Sequence, residues 1–205
     1  HRFGKAWMHE HLTDPYVKEA TQRGYRSRAA FKLLELDARD HILRPGIKVV
    51  DLGAAPGSWS QVLRERLGAR STIVAIDRLP MEGIAGVTVI RGDFESDDGL
   101  AAIDAALAGK PVDLVISDLS PNLSGVDVAD QARSVCLAEL ALDFACSRLQ
   151  PGGDLVVKVF QGTGLDAFQQ AVRRRFDNVH LRKPKASRDR SREHYVVAKG
   201  FRAGG

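Results

Sequence analysis

Short apolar runs and longer amphipathic segments alternate along most of the chain, after two helical segments at its start. This alternation predicts βαβ units and a largely parallel sheet, because a helix commonly connects neighbouring parallel strands. The runs are apolar throughout rather than at every second position, as expected for strands that helices cover on both faces. The predicted strands are 48–52, 72–77, 87–91, 112–118, 155–160, 178–182 and 194–199, and the predicted helices are 5–22, 27–40, 58–67, 98–108, 129–149 and 165–176.

The last two predicted strands have no helix between them, so we expect them to pair in antiparallel fashion at one edge of the sheet. An α/β fold with a mostly parallel seven-stranded sheet, an antiparallel edge pair and N-terminal helices fits the Rossmann-like fold of S-adenosylmethionine-dependent methyltransferases better than the dinucleotide-binding form. No repeat or flexible linker divides the chain. We therefore expect a single domain over 1–205, with a basic N-terminal helical extension at 1–45 and a Rossmann-like core at 46–205.

Charge is unevenly distributed along the chain, although the formal net charge is only +4. Residues 1–48 carry ten basic and six acidic side chains, residues 49–170 carry nine and seventeen, and residues 171–205 carry eleven and three. A basic head and a basic tail around an acidic middle indicate a polyanion-binding surface built from both ends. The alternative is that these charges belong to solvated helix faces and a flexible tail.

Cysteine usage indicates a reducing compartment. Cys136 and Cys146 lie in one predicted helix, where ten residues separate their Cα atoms by roughly 15 Å, beyond the reach of a disulfide. We therefore expect buried thiols and a cytoplasmic protein. No apolar run approaches the roughly 20 residues that cross a bilayer, so we expect no membrane association, and the first residues show no signal-peptide pattern.

A glycine loop, Asp51–Trp59, follows the first predicted strand, where an α/β sheet binds its ligand. Gly53 and Gly57 allow the backbone to approach that ligand closely. A dinucleotide fingerprint would need glycine at 53, 55 and 58, but Ala55 and Ser58 stand at the last two positions. The loop instead fits S-adenosylmethionine, which has no phosphate and carries an ammonium and a sulfonium. Asp51 supplies a matching negative charge at the start of the loop.

Two further carboxylates follow the next two predicted strands. Asp77 ends the second strand, where a carboxylate can accept hydrogen bonds from both ribose hydroxyls of a nucleoside. Asp93 follows the third strand and could accept a hydrogen bond from an adenine amino group. Turn formation or helix capping would explain either residue alone. Because both lie at successive strand ends beside the glycine loop, their positions favour cofactor binding.

A lysine interrupts the predicted strand 155–160, which should be central and covered on both faces. Lysine is almost never fully buried without a partner, so Lys158 needs an explanation. Asp118 ends the neighbouring fourth strand, and Glu193 begins the final antiparallel strand, which places both at the same edge of the sheet as Lys158. The alternative is that Lys158 lies past the covered part of the strand and reaches water. The convergence of three ionisable groups favours a catalytic site.

Five spaced motifs resemble those of the FtsJ/RrmJ-type ribosomal RNA ribose 2′-O-methyltransferases, and together they extend across nearly the whole chain. These motifs are Arg26–Lys32, Asp51–Trp59, Ser117–Gly125, Val156–Gly162 and Ser187–Glu193. The resemblance is strongest to the bacterial branch that methylates a uridine ribose in the A loop of 23S ribosomal RNA. Ser58 departs from the family's usual glycine, and Leu119–Ser120 departs from the Met-Ala that this branch often has. Neither departure falls on a charged catalytic position.

The resemblance also implies roles for individual residues. The family's catalytic tetrad falls on Lys32, Asp118, Lys158 and Glu193. Its S-adenosylmethionine-binding residues fall on Gly57, Trp59, Asp77, Asp93 and Asp118. Apart from the resemblance, we expect RNA binding by Arg26, Arg28, Arg188, Arg190 and Arg192; the last three alternate with Ser and Asp, which suits phosphate contacts, and a solvated loop is the alternative for them. The implied partner is ribosomal RNA within the large (50S) subunit, bound by a monomer.

Several alternatives stay open at this point. Helical periodicity alone would make Lys32 an exposed residue paired with Glu35. Burial and the charge of Lys32 would lower the pKa of Lys158, whereas the two carboxylates would raise it, so Lys158 could be a general base or an orienting cation. No metal is expected, because His9 and His11 lack further ligands. A nicotinamide oxidoreductase would need the missing glycines, and a non-catalytic RNA-binding or ribosome-assembly protein would leave the buried charges unexplained.

Overall fold

The computed structural model of the chain describes residues 2–204, in which seven helices surround seven strands. The helices are α1 (Arg2–Thr13), α2 (Pro15–Arg23), α3 (Ala29–Asp40), α4 (Ser58–Leu67), α5 (Asp97–Ala106), α6 (Asp127–Arg148) and α7 (Leu165–Arg173). The strands are β1 (Lys48–Leu52), β2 (Thr72–Asp77), β3 (Thr88–Arg91), β4 (Val112–Ser117), β5 (Leu149–Phe160), β6 (Phe176–Arg182) and β7 (Glu193–Phe201).

All seven strands form one sheet in the order β3-β2-β1-β4-β5-β7-β6. The strands from β3 to β5 run parallel to one another, whereas β7 lies antiparallel between β5 and β6. The predicted Rossmann-like α/β fold, with its mostly parallel sheet and antiparallel edge pair, is confirmed. The carboxyl ends of the parallel strands share an edge with the amino end of β7, because Phe160 pairs with Glu193. We call this edge the carboxyl edge.

Two differences from the predicted elements have local reasons, and the other boundaries shift by three residues or fewer. The single helix predicted over 5–22 is two helices, because the carboxylate of Asp14 accepts a hydrogen bond from the backbone N–H of Tyr16 at 2.9 Å and begins a new helix at Pro15. Strand β5 starts at Leu149 rather than at 155. Residues 150–153 form a bulge between the pairs Val112–Leu149 and Leu114–Asp154, and Gly152 has φ +84° within it.

Apolar side chains pack on both faces of the sheet. On one face α5, α6 and α7 contribute buried residues such as Ile103, Phe144 and Phe168. On the other face α3 and α4 contribute Leu33 and Leu63. The N-terminal helix α3 is therefore part of the core, and its packing fixes the position of the side chains at its amino end relative to the sheet.

The two cysteines are free thiols, but only one fits the expected burial. Cys146 is partly buried, whereas Cys136 is exposed, so the expectation of two buried thiols is wrong. The buried stripe of α6 runs through Ser134, Ala138 and Ala141, and Cys136 lies off this stripe. Within residues 2–204, no helix combines the length and the apolar character that a membrane crossing requires.

Candidate active site

A cleft of about 560 Å³ opens at the carboxyl edge of the sheet. Its walls come from the glycine loop after β1, from the ends of β2 and β3, and from the segment after β4. The cleft therefore brings together three of the carboxylates that sequence analysis places at strand ends. The residues that line the cleft include Gly53, Asp77, Asp93, Asp118, Leu119 and Ser120.

Backbone conformation in the glycine loop requires glycine at two positions. Gly53 has φ +70°, and a Cβ atom there would clash with the side chain of Leu119 across the cleft. Gly57 has φ +115°, and a Cβ atom there would lie 2.7 Å from Nη1 of Arg26. Since side-chain-bearing residues rarely adopt these φ values, both glycines keep the loop in this shape. The loop is also tied to β2, because the N–H groups of Gly53 and Ala54 donate to the carbonyl of Ile76 at 2.9 and 3.1 Å.

Asp77 and Asp93 combine the two roles that sequence analysis weighed against each other. The carboxylate of Asp77 accepts hydrogen bonds from the N–H groups of Ala55 (2.9 Å) and Leu79 (2.8 Å). Asp93 accepts one from the N–H of Glu95 at 2.9 Å and pairs with the guanidinium of Arg78 at 2.5 Å. Each therefore shapes its turn, and Asp77 also holds the glycine loop. A carboxylate has about four acceptor positions, so both retain acceptors in the cleft that they line.

Asp51 lies beneath the glycine loop and is 1% exposed. Its carboxylate accepts a hydrogen bond from the hydroxyl of Ser60 at 2.8 Å. Burial raises the pKa of Asp51 to about 7; the Ser60 hydroxyl opposes this rise, and the negative charges of Asp118 and Asp77 add to it. Asp51 is therefore a carboxyl group that titrates near neutral pH beside the candidate cofactor site.

Trp59 forms part of the wall of a narrow recess that adjoins the cleft, together with Asp51, Gly53 and Asp118. The indole is 3% exposed, and its Nε1–H donates to the carbonyl of Ala29 at 2.8 Å. Trp59 thus joins the glycine loop to the start of α3.

The predicted catalytic tetrad is assembled around two buried lysines. Nζ of Lys158 lies 3.0 Å from a carboxylate oxygen of Asp118 and 3.4 Å from one of Glu193. Nζ of Lys32 lies 2.5 Å from the other carboxylate oxygen of Glu193. Glu193 therefore bridges the two ammonium groups, and the alternative in which Lys158 simply reaches water is wrong, because Lys158 is 7% exposed.

Lys32 does not pair with Glu35, as helical periodicity alone would suggest. It is 8% exposed and faces Glu193 on β7. Glu35 instead accepts hydrogen bonds from the backbone N–H groups of Lys185 and Ala186, at 2.6 and 2.9 Å. Helix α3 consequently supplies a cation to the site and an anchor for the segment that leads to β7.

The protonation states of the tetrad follow from this arrangement. Burial lowers the pKa of Lys158, but the charges of Asp118 and Glu193 outweigh that effect and raise it above its ordinary value. For Glu193 burial opposes ionisation, yet the two lysines lower its pKa to about 2. At neutral pH, Lys158 is therefore an ammonium and Glu193 a carboxylate. The direction of the shift favours an orienting cation over a general base.

Three residues that sequence analysis did not single out as site residues complete the network. The Tyr195 hydroxyl donates to Asp118 at 2.6 Å, and the Ser187 hydroxyl donates to Glu193 at 2.9 Å. The Ser120 hydroxyl accepts from the Lys158 ammonium at 2.8 Å. In the sequence Ser120 stands out only as a departure from the family pattern, and Tyr195 is inconspicuous beside the apolar run Val196–Ala198. Register could have indicated Tyr195, since it pairs directly with Lys158 across β5 and β7.

The five predicted RNA-binding arginines all have protein partners. Arg26 donates to three backbone carbonyls, at 2.7 to 3.0 Å, in the glycine loop and in 82–83. Arg28 pairs with Asp14 at 3.1 Å. Arg26 and Arg28 thus join separate parts of the protein, and their contact with RNA stays a prediction. Arg188, Arg190 and Arg192 lie between β6 and β7, and each pairs with a carboxylate from another element.

Comparison with known proteins adds independent information. The family profile for FtsJ-like methyltransferases matches residues 25–201. The chain is 57% identical over 198 residues to ribosomal RNA large subunit methyltransferase E of Azoarcus sp. (strain BH72), covering 97% of each chain. It is 56% identical over 196 residues to the protein of the same name from Pseudomonas aeruginosa (strain PAO1), covering 96% of this chain and 95% of that one. A Plasmodium falciparum crystal structure assigned as a ribosomal RNA methyltransferase is similar, with TM-score 0.77, 32% identity and coverage of 86% of this chain and 98% of that one.

Proposed function

Because the chain belongs to the FtsJ-like methyltransferase family, we propose that it transfers a methyl group from S-adenosylmethionine to a ribose 2′-hydroxyl in large-subunit ribosomal RNA. Two relatives that match over almost their whole length are named for methylation of this RNA. The target nucleoside is a uridine in the A loop of 23S ribosomal RNA. The observation that carries the proposal is the Lys158 ammonium, which two carboxylates hold at the edge of the cleft.

The cleft fits S-adenosylmethionine in charge and in shape. Asp77, Asp93 and Asp118 present acceptors for ribose hydroxyls and amino groups, and their negative charge suits a ligand with an ammonium and a sulfonium. The absence of a side chain at Gly53 keeps the cleft open beside Leu119. When bound, S-adenosylmethionine supplies a methyl group on a positively charged sulfur.

Lys158 remains a positively charged ammonium when it binds the attacking 2′-hydroxyl. When the ribose oxygen takes the place of the Ser120 hydroxyl, the third N–H of the ammonium donates to that oxygen and stabilises negative charge that develops there. Asp118 and Glu193 fix the ammonium in place, so the attacking oxygen is held in one position, and positioning contributes much of the rate. The hydroxyl proton becomes strongly acidic as the oxygen bonds to carbon. Asp118, whose side chain is more exposed than that of Glu193, is placed to accept it.

The pH dependence of the single-turnover rate separates the two roles of Lys158. With S-adenosylmethionine at saturation throughout, so that titration of Asp51 does not limit binding, an orienting cation with a raised pKa gives a rate that is flat between about pH 6.5 and 9 and declines only as Lys158 loses its proton. A general base gives a rate that rises about tenfold per pH unit up to the pKa of the lysine. A rising profile would therefore contradict the role proposed for Lys158 without contradicting methyl transfer itself.

Mapping of ribose methylation by mass spectrometry tests the reaction. The purified protein and S-adenosylmethionine are incubated with free ribosomal RNA, and separately with large subunits, both from cells that lack the enzyme. One new ribose methyl group in the A loop is expected. Lys158→Met should abolish it, whereas Lys110→Met, which changes an exposed lysine outside the cleft, should not. Methylation on a base, or none on either substrate, would refute the proposal.

The remaining expectations are part of the same proposal. Residues 1–205 act as one methyltransferase domain, which works as a monomer in the cytoplasm. The assembled 50S subunit is the substrate, so the subunit arm of the mapping experiment should react faster than the free RNA arm. Sedimentation of the protein at working concentration tests the monomeric state.

A further inference from the structure

The segment that joins β6 to β7, residues 183–192, is basic and ends beside the catalytic Glu193. We call it the basic loop. Its Lys183 ammonium donates to the backbone carbonyl of Glu193 at 2.8 Å, and its Ser187 hydroxyl donates to the carboxylate of the same residue at 2.9 Å. The conformation of the basic loop and the position of Glu193 are therefore linked. The basic loop directly precedes Glu193 in the sequence, so a ligand bound along the loop lies close in space to the tetrad.

Each arginine of the basic loop meets a carboxylate from elsewhere in the fold. Arg190 pairs with Glu10 of α1 at 2.5 Å, and Arg192 pairs with Asp127 of α6 at 2.8 Å. Arg188 lies 3.5 Å from the carboxylate of Asp14. Carboxylates from two separate parts of the chain thus converge on one arginine-rich segment. A carboxylate and a phosphodiester both present two oxygens that share a negative charge, and a guanidinium binds both in the same planar geometry.

The three pairs differ in how firmly they are held. The side chain of Asp14 is 9% exposed, begins α2 and also pairs with Arg28, so this carboxylate is fixed in the scaffold. The side chains of Glu10 and Asp127 are 39% and 70% exposed. Ion pairs at such exposure contribute only about 0–1 kcal/mol, so a competing anion can break them.

We infer that Glu10 and Asp127 occupy the positions of two RNA phosphates, and that the RNA backbone displaces them when it binds Arg190 and Arg192. This inference rests on the proposed function, because it specifies how the RNA substrate reaches the site. In the free protein the two carboxylates pair with the guanidinium groups of Arg190 and Arg192, and they therefore compete with RNA phosphates for these groups. The phosphate path then crosses the basic loop next to Glu193, between the N-terminal helices and the start of α6.

Charge-neutral variants test the competition. Glu10→Gln and Asp127→Asn should each tighten binding of a fluorescent transcript of a 23S ribosomal RNA hairpin by about two- to fivefold, because the arginine no longer exchanges one anion for another. The matched control is Glu19→Gln, which removes the same charge from an exposed pair with Arg23 on α2. That control should change the affinity by less than the other two.

The salt dependence gives a second, independent measurement. In the parent protein a freed carboxylate takes up a cation when RNA binds, which reduces the net release of ions. Glu10→Gln should therefore steepen the plot of log affinity against log salt by up to about one unit. Combining Glu10→Gln with Arg190→Gln should remove the gain, because the carboxylate acts through that arginine.

The outcomes separate this inference from the proposed function. One outcome is that the transcript binds the parent while Glu10→Gln and Asp127→Asn bind it no more tightly than Glu19→Gln does. In that case RNA does not displace Glu10 and Asp127, and the inference is wrong. The proposed methylation of RNA does not depend on this result. If neither transcript nor 50S subunits bind the parent protein, the proposed function itself fails. Asp127 lies in the first turn of α6, so Asp127→Glu, which keeps the charge, shows whether a change at 127 acts through helix stability instead. It should match the parent in affinity.

Discussion

Replacing Asp51 with asparagine should make the protein more stable at alkaline pH while weakening its cofactor site. Asp51 is buried beneath the glycine loop with the hydroxyl of Ser60 as its hydrogen-bond partner. No lysine or arginine pairs with it among the described residues, so its ionisation is unfavourable in the folded state. Asparagine has nearly the same shape and keeps an acceptor for the Ser60 hydroxyl, but it cannot ionise.

The magnitude follows from the pKa of Asp51, which burial raises from 3.8 to about 7. Between these two values the folded protein holds a proton that the unfolded chain has lost, so the free energy of unfolding falls as pH rises through this window. A shift of this size corresponds to roughly 4 kcal/mol when Asp51 is fully ionised. The asparagine side chain of the variant brings amide N–H groups that need acceptors, at a cost that does not depend on pH. The change with pH is therefore the test, rather than the absolute difference.

Urea denaturation of both proteins at pH 4.5, 6 and 8 measures the effect. The stability of Asp51→Asn relative to the parent should increase from the lowest to the highest pH by a few kcal/mol. Titration with S-adenosylmethionine at pH 8 should show weaker binding by the variant, because a negative charge near a cationic ligand has been removed. A difference in stability that is constant across the three pH values would refute the argument.

Three further changes probe the site. Lys158→Met should lower the single-turnover rate by roughly a hundredfold or more. It should also destabilise the fold, because Asp118 and Glu193 lose a buried cation. A variant with normal turnover would remove Lys158 from the mechanism. Asp77→Ala should weaken S-adenosylmethionine binding about tenfold or more in calorimetric titration, and an unchanged affinity would restrict Asp77 to holding the loop. Gly53→Ala should weaken the same binding by narrowing the cleft, and adding Leu119→Ala should restore part of it; no restoration would locate the effect in backbone strain instead.

The central strands were predictable because β1, β2, β4 and the second half of β5 are apolar runs that the sheet buries on both faces. The failures occurred where a local interaction decides the boundary. Asp14 and Pro15 begin a second helix, and this capping pair is a local signal that the hydrophobic pattern over 5–22 does not show. The run at Pro151–Gly153 contains typical turn residues and does bulge out of the sheet, yet Leu149 before it already pairs with Val112 of β4, so the strand begins earlier than predicted. The hydrophobic pattern is read over several neighbouring residues at once. It therefore does not show a boundary that one capping side chain or pairing with a distant strand determines.

The site was predictable as far as strand ends determine it. Asp118, Lys158 and Glu193 converge because topology brings their strand ends together, and the order of apolar runs is enough to indicate that topology. Lys32 was different, because its helix offers Glu35 as a local partner and only the family resemblance favoured the distant one. Glu35 is free of that pairing because it binds the backbone after β6, a contact between residues about 150 positions apart. Local patterns cannot predict such contacts.

The position of β7 inside the sheet has a consequence for biosynthesis. It is the last strand along the chain, yet it lies between β5 and β6, which do not pair with each other. A nascent chain that has emerged only as far as Arg182 therefore has an open edge on β5 and an unpaired β6. Such a chain already contains Asp77, Asp93 and Asp118 but lacks Glu193, the carboxylate that bridges both lysines. The residues that line the cleft are thus synthesised before Glu193, and the cluster of Lys32, Asp118, Lys158 and Glu193 is complete only after the final strand has inserted.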